Sequence, residues 1–395
     1  MKNSWNCLKL EDCFISIKNG ANIKQEKGAG GIPITRIETL SGGIFNRERL
    51  GYANIQNAQD YSSYILEDGD LLFSHINSKT FIGRTVLYEK RDDETIIHGM
   101  NLLRLKVIPN IILPRFVYYA FKSDSFKKQI ITHRKDAVNQ SSISVTDLKK
   151  ITIPVPPLNE QLSIVNEFDL LNGIIEKKNE QLNILDKLAE SIFYEMFGVP
   201  AESTDTKYPI IDYANCIAGA TPSTLVNSYW ENGTIPWLSS GEVAKGRISE
   251  TDTKITQEGY DSCSTRLVPK DSVLVAMAGQ GKTRGTVGIT NIELCTNQSI
   301  CSIVINKDSL LPTFLYYQLK YLYNELRSIS NGDGGRGGLN LKLIGQFKIM
   351  IPQKEKQSLF VDKAVFIEKE KLLIKESIKP LEQLLAKRMD KYFNN

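Results

Sequence analysis

Residues 276–283, AMAGQGKT, are the stretch whose residue types and spacing most readily suggest chemistry. Ala276 and Gly281-Lys282-Thr283 fit a relaxed phosphate-loop pattern, in which backbone N–H groups and a lysine hold the phosphates of a nucleotide. Such a loop needs a helix directly after Thr283, with its N-terminus facing the phosphates. The residues that follow, RGTVGITNIELCTNQSICSIVI, are rich in glycine and β-branched side chains and predict strands. A P-loop NTPase is therefore the less favoured interpretation.

Other catalytic patterns are missing from the sequence. It has no Asn-Pro-Pro-Tyr or Asp-Pro-Pro-Tyr motif for gripping a flipped adenine, no Gly-x-Ser-x-Gly elbow and no His-Glu-x-x-His. The histidines His75, His98 and His133 all lie in the first half, and the six cysteines do not show metal-ligand spacing. The sequence therefore offers no recognisable catalytic motif, and we expect neither a metal ion nor a cofactor to be bound by this chain.

The composition is that of a globular protein. Of the 395 residues, 41% are hydrophobic and 24% are charged, and the formal net charge of +4 permits an acidic partner such as DNA. The sequence has no apolar run long enough for a transmembrane helix, and its N-terminus, MKNSWNCLKLEDCF, lacks the apolar core of a signal peptide. A cytoplasmic location is expected.

The two halves of the sequence repeat each other. ILPRFVYYAFK (112–122) recurs as LLPTFLYYQLK (310–320), and LKKITIPVP (148–156) is matched by IGQFKIMIP (344–352). The repeats keep their order and their offset drifts slowly, as a duplication with loop insertions would produce. AMAGQGKT itself is matched by FSHINSKT (73–80), which lacks Gly-Lys-Thr. The stretch therefore belongs to the repeated fold.

The first part of each half predicts an α+β globule. Short alternating runs such as DLLFSHI, RTVLYE and NLLRLKV predict strands. One amphipathic helix per half is expected, around PRFVYYAFKSDSFKKQI and PTFLYYQLKYLYNELRSI, with proline in the first turn. We predict that the paired tyrosines lie mainly in the core: Tyr118, Tyr119, Tyr316 and Tyr317.

The second part of each half predicts a long helix with a heptad repeat. Its apolar positions are Phe168, Ile175, Leu182, Ala189 and Met196 with Ile164, Leu171, Leu185 and Ile192, and in the second copy Ala364, Ile378, Leu385 and Tyr392 with Phe360, Ile367, Ile374 and Leu381. Lys178, Lys371 and Arg388 interrupt these stripes, and Pro380 predicts a bend and not an end of the second helix. A repeat of this length indicates a coiled coil.

Two such helices related by a two-fold rotation would pair antiparallel. Globules at the two ends of this spacer would then be roughly 57 Å apart, because each helical residue adds about 1.5 Å. We place the globules at residues 1–156 and 199–351 and the spacer helices at 157–198 and 352–395. The predicted fold is thus two similar α+β domains joined by two long antiparallel coiled-coil helices with internal pseudo-two-fold symmetry.

The junction between globule and helix carries a resemblance to a known family. IPVPPLNEQLSIV (153–165) contains Pro157, Leu158, Glu160 and Gln161, and its echo MIPQKEKQSLFV (350–361) keeps Pro352 and Gln357 but has Glu355 one position off. SIFYEMFG (191–198) is similar to the end of the same family's central spacer. Together these segments resemble the specificity subunit of type I restriction–modification systems.

The resemblance implies a function for each part. Each globule would be a target recognition domain that reads one half of a bipartite duplex DNA site. The spacer helices would set the gap and dock two methyltransferase (modification) subunits, which use S-adenosylmethionine. Separate restriction (motor nuclease) subunits would use ATP and Mg, and this chain would be non-catalytic.

Polar loop residues at equivalent places in the two halves are the candidates for DNA contact, because base edges and phosphates are bound by such side chains. In the first half they are Thr35, Arg36, Ser74, Asn77, Ser78, Lys79, Arg84, His133, Arg134, Lys135, Asn139 and Gln140. In the second half they are Trp237, Ser239, Ser240, Gly279, Gln280, Lys282, Thr283, Arg284, Arg336 and Asn340. Lys127 and Lys128 are more simply interpreted as a solvated helix face.

A coiled-coil assembly scaffold with two protein-binding globules is the remaining alternative. Charge and helical pattern alone fit it equally well. Loss of DNA binding in variants of Lys282 and Arg336 that keep their protein partners would argue against it.

Overall fold

The computed structural model describes residues 5–26, 30–138, 140–200, 206–279, 281–330 and 338–394. The chain forms two compact units: unit 1 comprises Met1–Asn179 and Lys375–Asn395, and unit 2 comprises Glu180–Ile374. Each unit therefore contains part of both long helices. Within the described ranges, none of the helices combines the length and the apolar character that crossing a bilayer requires.

Unit 1 combines short strands with short helices. Its strands are Asn6–Lys9 (β1), Phe14–Asn19 (β2), Gln25–Glu26 (β3), Ile32–Ile34 (β4), Gly51–Ala53 (β5), Leu71–Phe73 (β6), Ile76–Asn77 (β7), Thr85–Leu87 (β8), Leu103–Val107 (β9), Lys135–Asp136 (β10), Ser141–Ser142 (β11) and Thr152–Val155 (β12). Its helices are Leu10–Cys13 (α1), Pro114–Ala120 (α2), Asp124–His133 (α3) and Val145–Lys150 (α4), followed by the long helix Leu158–Phe197 (α5), which continues into unit 2. An antiparallel sheet of order β2-β9-β6-β8 forms its centre, beside the smaller sheets β1-β12, β3-β5-β4 and β10-β11-β7.

Unit 2 repeats this plan. Its strands are Lys207–Pro209 (β13), Ala214–Ala218 (β14), Ile235–Leu238 (β15), Arg247–Ile248 (β16), Thr253–Ile255 (β17), Val273–Ala276 (β18), Val287–Thr290 (β19), Cys295–Thr296 (β20), Ile300–Ile305 (β21) and Lys348–Met350 (β22). Its helices are Gln257–Asp261 (α6), Pro312–Tyr321 (α7), Tyr323–Ser328 (α8), Leu341–Gly345 (α9) and the long helix Lys354–Phe393 (α10), which returns to unit 1. The sheets have the orders β14-β21-β18-β19-β16, β13-β22 and β17-β15-β20.

The shared strand order confirms the predicted duplication. The series β2-β9-β6-β8 corresponds to β14-β21-β18-β19, and the pair β1-β12 corresponds to β13-β22. Each central sheet contains a completely buried strand, β6 in unit 1 and β18 in unit 2. Leu71 and Phe73 of β6 and Val273 and Val275 of β18 have no exposed surface. Both faces of these strands are therefore covered by the rest of their unit.

The single amphipathic helix predicted for each half is wrong, since each half has two consecutive helices there. In unit 1 the hydroxyl of Ser123 donates to the carbonyl of Ala120 (2.7 Å) and accepts from the N–H of Phe126 (3.2 Å). This ends α2 and caps α3 at one residue. In unit 2 the break between α7 and α8 falls at Leu322.

The paired tyrosines largely have the predicted core position. Tyr119, Tyr316 and Tyr317 are buried, whereas Tyr118 is half-buried and its hydroxyl donates to the carbonyl of Gly43 (3.3 Å). The Tyr119 hydroxyl reaches Asp169 on α5 and the Tyr317 hydroxyl donates to Glu368 on α10 (2.9 Å). These contacts tie each domain to a long helix.

A buried glutamine closes the junction at the start of each long helix. In unit 1 the amide of Gln161 is completely buried, donates to the carbonyls of Ile111 (2.9 Å) and Pro156 (2.8 Å), and accepts from the N–H of Leu113 (2.9 Å). In unit 2, Gln357 makes the same three bonds, to the carbonyls of Ser309 (2.8 Å) and Pro352 (2.7 Å) and from the N–H of Leu311 (2.9 Å). The family-like motif therefore has a direct structural role.

The long helices pair along a seam that includes the predicted positions Phe168 and Phe360 and also the unpredicted Phe193 and Phe393. Within unit 2, Phe193 of α5 lies 5.1 Å from Phe360 of α10, and Asp186 pairs with Lys371 (3.0 Å). From the first of these contacts to the second, the residue number decreases on α5 and increases on α10, so the helices run antiparallel. Within unit 1, Phe168 stacks on Phe393 at 6.0 Å. Helix α10 continues through Pro380, as predicted.

One interruption of the heptad pattern is a buried lysine, Lys371, which pairs with carboxylates. Lys371 is only 8% exposed, and its ammonium contacts Asp186 and Glu368, each at 3.0 Å. Burial alone would raise the pKa of Asp186, but the cations of Lys320 and Lys371 lower it below its usual value. Lysine is therefore compatible with the seam because a carboxylate faces it.

We predict that Gln161→Met destabilises unit 1 by at least about 3 kcal/mol, because three buried backbone groups lose their partner and each costs about 1–3 kcal/mol. Hydrogen exchange followed by mass spectrometry should show faster exchange in residues 109–116 and 152–165 and no change in residues 305–315. Gln181→Met, at an exposed position of α5, is the matched control. Unchanged exchange around residue 113 in Gln161→Met would contradict the role assigned to this amide.

Candidate nucleic-acid interface

In unit 1 the loop between β6 and β8 (residues 74–84) is closed at its base by backbone hydrogen bonds. The N–H of Ser74 donates to the carbonyl of Arg84 (2.9 Å), and the N–H of Gly83 donates to the carbonyl of Ser74 (2.8 Å). Gly83 has a φ of 82°, a conformation that favours glycine. Farther along the loop, Lys79 and Thr80 are exposed. The loop therefore presents polar groups from a defined base.

The β10–β11 hairpin lies beside this loop because β11 also pairs with β7, with Ser141 opposite Asn77. Asp136 of the hairpin accepts a hydrogen bond from the Ser141 hydroxyl (2.6 Å) and pairs with Lys79 (3.3 Å) and Arg134 (3.0 Å). The Ser141 hydroxyl, followed by the two cations, lowers the pKa of Asp136, so this carboxylate is ionised at neutral pH. Loop and hairpin thus form one polar surface.

A cationic cavity of about 340 Å³ opens in this surface. Its cationic lining residues are Lys79, Arg84, Lys122, Lys127 and Arg134, and its apolar lining residues include Ile82, Phe121 and Ile130. The Arg84 guanidinium lies 4.3 Å from the centre of the Phe81 ring. Asp136 and Asp124 form ion pairs with only some of these cations, so the cavity has a positive surplus that suits a phosphate.

In unit 2 the equivalent loop lies between β18 and β19 (residues 277–286) and has the same closure. The N–H of Gly285 (φ of 85°) donates to the carbonyl of Ala276 (2.9 Å), as Gly83 does to Ser74. Ala276 therefore corresponds to Ser74, and the match of 276–283 with 73–80 made from the sequence is wrong by one residue. Helix α8 supports this loop, since Arg327 donates to the carbonyls of Gly281 (2.8 Å) and Arg284 (3.2 Å). The unit 2 loop therefore has the same closing backbone hydrogen bond as the unit 1 loop, but a different element holds it in place.

The same geometry removes the phosphate-loop alternative for AMAGQGKT. Strand β19 begins at Val287, and within the described residues 281–330 the first α-helix is α7, at Pro312. The carbonyl of Lys282 accepts from the Tyr323 hydroxyl (2.8 Å), so the loop is held from the α8 side by its carbonyl groups. No helix N-terminus directly follows Thr283, as phosphate binding of this type requires.

Three predicted contact residues are buried. Thr35 is completely buried and accepts from the N–H of Gly99 (2.9 Å), and Ser74 is 1% exposed and accepts from the amide of Asn77 (3.0 Å). Trp237 is 8% exposed and its indole N–H donates to the carbonyl of Ala220 (3.0 Å). These side chains stabilise the fold around the loops, and we leave them out of the proposed DNA surface.

The other predicted residues occupy loops, caps and turns. Arg36 pairs with Glu38 (3.5 Å), the His133 ring bonds to the carbonyl of Gln129 (2.9 Å), and the Ser239 hydroxyl donates to Glu242 (3.1 Å). Asn340 is exposed and caps α9. The exposed members are Lys79, Lys135, Gln140, Gly279, Lys282 and Asn340, and the half-buried ones are Arg36, Asn77, Ser78, Arg84, His133, Arg134, Ser239, Ser240, Thr283 and Arg284. Asn139, Gln280 and Arg336 lie outside the described residues.

Sequence reasoning missed residues that the fold brings to these loops. Lys122 was not selected and Lys127 was interpreted as solvated, yet both line the cationic cavity. Arg327 and Tyr323 were also missed, although they hold the unit 2 loop. The single available signal was their spacing of four residues, which places both on one helix face. Across the described ranges, no group of three His, Cys, Asp or Glu side chains is arranged to hold a metal ion.

Comparison with known proteins identifies the family. The profile of the type I restriction modification DNA specificity domain matches residues 2–184 and 204–380. A putative type I restriction enzyme MjaX specificity subunit of Methanocaldococcus jannaschii is 31% identical over 408 residues, covering 96% of this chain and 92% of that protein. The EcoKI specificity subunit of Escherichia coli K12 is 27% identical over 195 residues, covering 48% of this chain and 42% of that protein.

Solved structures show the same fold. The S subunit of a type I restriction–modification system from M. genitalium has a TM-score of 0.60 at 16% identity, covering 100% of this chain and 98% of that one. A chain from a structural study of complex assembly in the type I R-M system has a TM-score of 0.55 at 16% identity, covering 99% and 98%. This chain therefore belongs to the family of type I restriction–modification DNA specificity subunits, the non-catalytic components that supply DNA sequence recognition.

Proposed function

We propose that unit 1 and unit 2 each read one half of a bipartite duplex DNA site. The observation that carries this proposal is the recurrence of one loop, with the same backbone closure, after the same buried strand of each sheet. The loop residues differ between the copies, NSKTFI (77–82) against GQGKTR (279–284), while the strands remain alike. A constant scaffold with different polar loops is suited to reading two different half-sites.

Within unit 1, the cationic cavity supports contacts to the DNA backbone. Phosphate contacts orient a protein on the duplex without reading its sequence, whereas polar groups that reach base edges read it. We assign Arg84, Lys122 and Lys127 to phosphates, and the exposed tip of the β10–β11 hairpin to base edges.

The long helices offer apolar surface for partner subunits. Leu359, Phe366 and Leu373 are each at least 51% exposed and recur every seven residues on α10, away from the seam formed by Phe360 and Ile367. We call Leu359, Phe366 and Leu373 the docking stripe. A heptad stripe of this kind fits a helix of another protein. We assign the docking stripe to a methyltransferase subunit. The complex would contain two such subunits, and each would bind S-adenosylmethionine. ATP and Mg would be bound by the restriction subunits.

The central test is to sequence adenine methylation in a host that carries this chain and its methyltransferase. We expect a split motif with two specific halves and a fixed gap. Exchange of residues 77–82 for the equivalent residues 279–284 should alter one half of the motif alone. A continuous motif, or methylation without a consensus, would refute the bipartite assignment.

We predict that Lys122→Ala combined with Lys127→Ala weakens DNA binding by similar factors for specific and unrelated duplexes. The slope of the logarithm of affinity against the logarithm of salt concentration should fall by about 2, since each lost phosphate contact removes about 0.9. Binding is measured with the methyltransferase complex over a salt series. Lys18→Ala, an exposed cation on β2, is the control. A loss confined to the specific duplex would instead mean that these lysines read bases.

We predict that Phe366→Glu abolishes co-purification of the methyltransferase, because a charge would have to be buried against the partner helix. Circular dichroism should show unchanged helix content, since residue 366 is 64% exposed in this chain. Lys375→Glu, an exposed position about half a turn around α10 from the docking stripe, should leave the complex intact. Full retention of the partner by Phe366→Glu would remove the docking stripe from the interface and favour another surface.

A further inference from the structure

A large apolar side chain, that of Val138, is exposed at the tip of the β10–β11 hairpin. The N–H of Ala137 donates to the carbonyl of Gln140 (2.8 Å), and Val138 lies in the connection between β10 and β11. Val138 is 95% exposed, the largest exposed fraction of any large apolar side chain in the described ranges. A single exposed hydrophobe is common on protein surfaces. Its significance here depends on how the hairpin is held and what surrounds it.

The hairpin is held firmly below its tip. Lys135 pairs with Ser142 and Asp136 with Ser141 across the strands, and β11 is bonded on its other side to β7. The Asp136 carboxylate links Ser141, Lys79 and Arg134. Arg134 has only 16% of its side chain exposed and also donates to the carbonyl of Lys79 (3.4 Å). The strands on either side of Val138 are thus held in place by hydrogen bonds and ion pairs.

The surroundings of the tip suit the edge of a DNA duplex. The exposed cation Lys135 begins the hairpin, and Lys79 and Arg134 connect it to the cationic cavity. Cations at the base of a ribbon can contact phosphates on the groove walls while its tip enters the groove. The major groove of B-DNA, about 12 Å wide, admits a two-stranded β-ribbon.

We propose that Val138 is a specificity-determining residue that recognises the 5-methyl group of a thymine in the major groove of the unit 1 half-site. Valine has no hydrogen-bonding group, and the thymine methyl is the apolar feature among the base edges of that groove. The side chain is short and restricted at χ1, which favours a fixed van der Waals contact. Side chains that wedge between base pairs are usually longer, such as Phe, Leu, Ile or Met.

This inference rests on the proposed function, because it places unit 1 on duplex DNA. In the equivalent part of the second half, residues 331–337 lie outside the described residues. The assignment therefore concerns unit 1 alone.

The test replaces thymines of the methylated motif by deoxyuridine, one position at a time, and measures binding by the complex with its methyltransferase. Deoxyuridine removes only the 5-methyl group. The wild-type complex should lose about four-fold in affinity at one position of one half-site, as expected for a buried methyl group. Val138→Ala should bind the thymine duplex about as weakly as wild type binds the deoxyuridine duplex, and should be insensitive to deoxyuridine at that position.

Two further variants make the outcome specific. Val138→Thr keeps the branched shape and one methyl group, so it should retain part of the discrimination. Leu225→Ala removes a side chain of unit 2 that is 93% exposed and should leave the discriminated position unchanged.

Three results would overturn the assignment: no thymine at which wild type discriminates, equal discrimination by wild type and Val138→Ala, or loss of affinity in Val138→Ala at every position alike. The last result would indicate a wedge or a folding role. Failure of the proposed function would look different, because the wild-type complex would then bind no split duplex site at all.

Discussion

A buried amide at each domain–helix junction is the constraint on which the arrangement of the chain depends. Gln161 and Gln357 each satisfy three backbone groups, two carbonyls and one N–H, in segments that would otherwise bury unpaired polar atoms. Glutamine can do this because its side chain both donates and accepts. A single side chain thereby connects the end of the last strand, the segment before α2 or α7 and the first turn of a long helix.

The loops that follow the buried strands β6 and β18 have the same closure in both units but different supports. In unit 1, the loop between β6 and β8 is braced by the hairpin through Asp136, Lys79 and Arg134. In unit 2, the loop between β18 and β19 is braced by Arg327 and Tyr323 through carbonyl groups. The closing hydrogen bond of Gly83 or Gly285 is common to both. The same closing hydrogen bond with different supporting contacts explains how one fold can present two different polar surfaces.

The duplication made much of this fold predictable. Repeated strands, the heptad positions of α5 and α10 and the Gln161 motif are local patterns, and the structure has each of them. The division of the expected helix into α2 and α3 was missed because Ser123 acts as a cap only when the chain turns there. The burial of Thr35 and Ser74 was missed because it depends on partners distant in sequence or on neighbouring sheets. Lys122 joins Lys79 and Arg134 only through tertiary folding, which no spacing in the sequence reports.

The ion pair between Lys371 and Asp186 has a consequence for how such chains can change length. A buried ammonium that lost its carboxylate by a shift in register would cost several kcal/mol. An insertion in α10 between the seam residues must therefore be matched in α5, or it must preserve the facing of these two charges. The two helices are consequently expected to lengthen and shorten together during evolution, because a change in only one of them would separate Lys371 from Asp186.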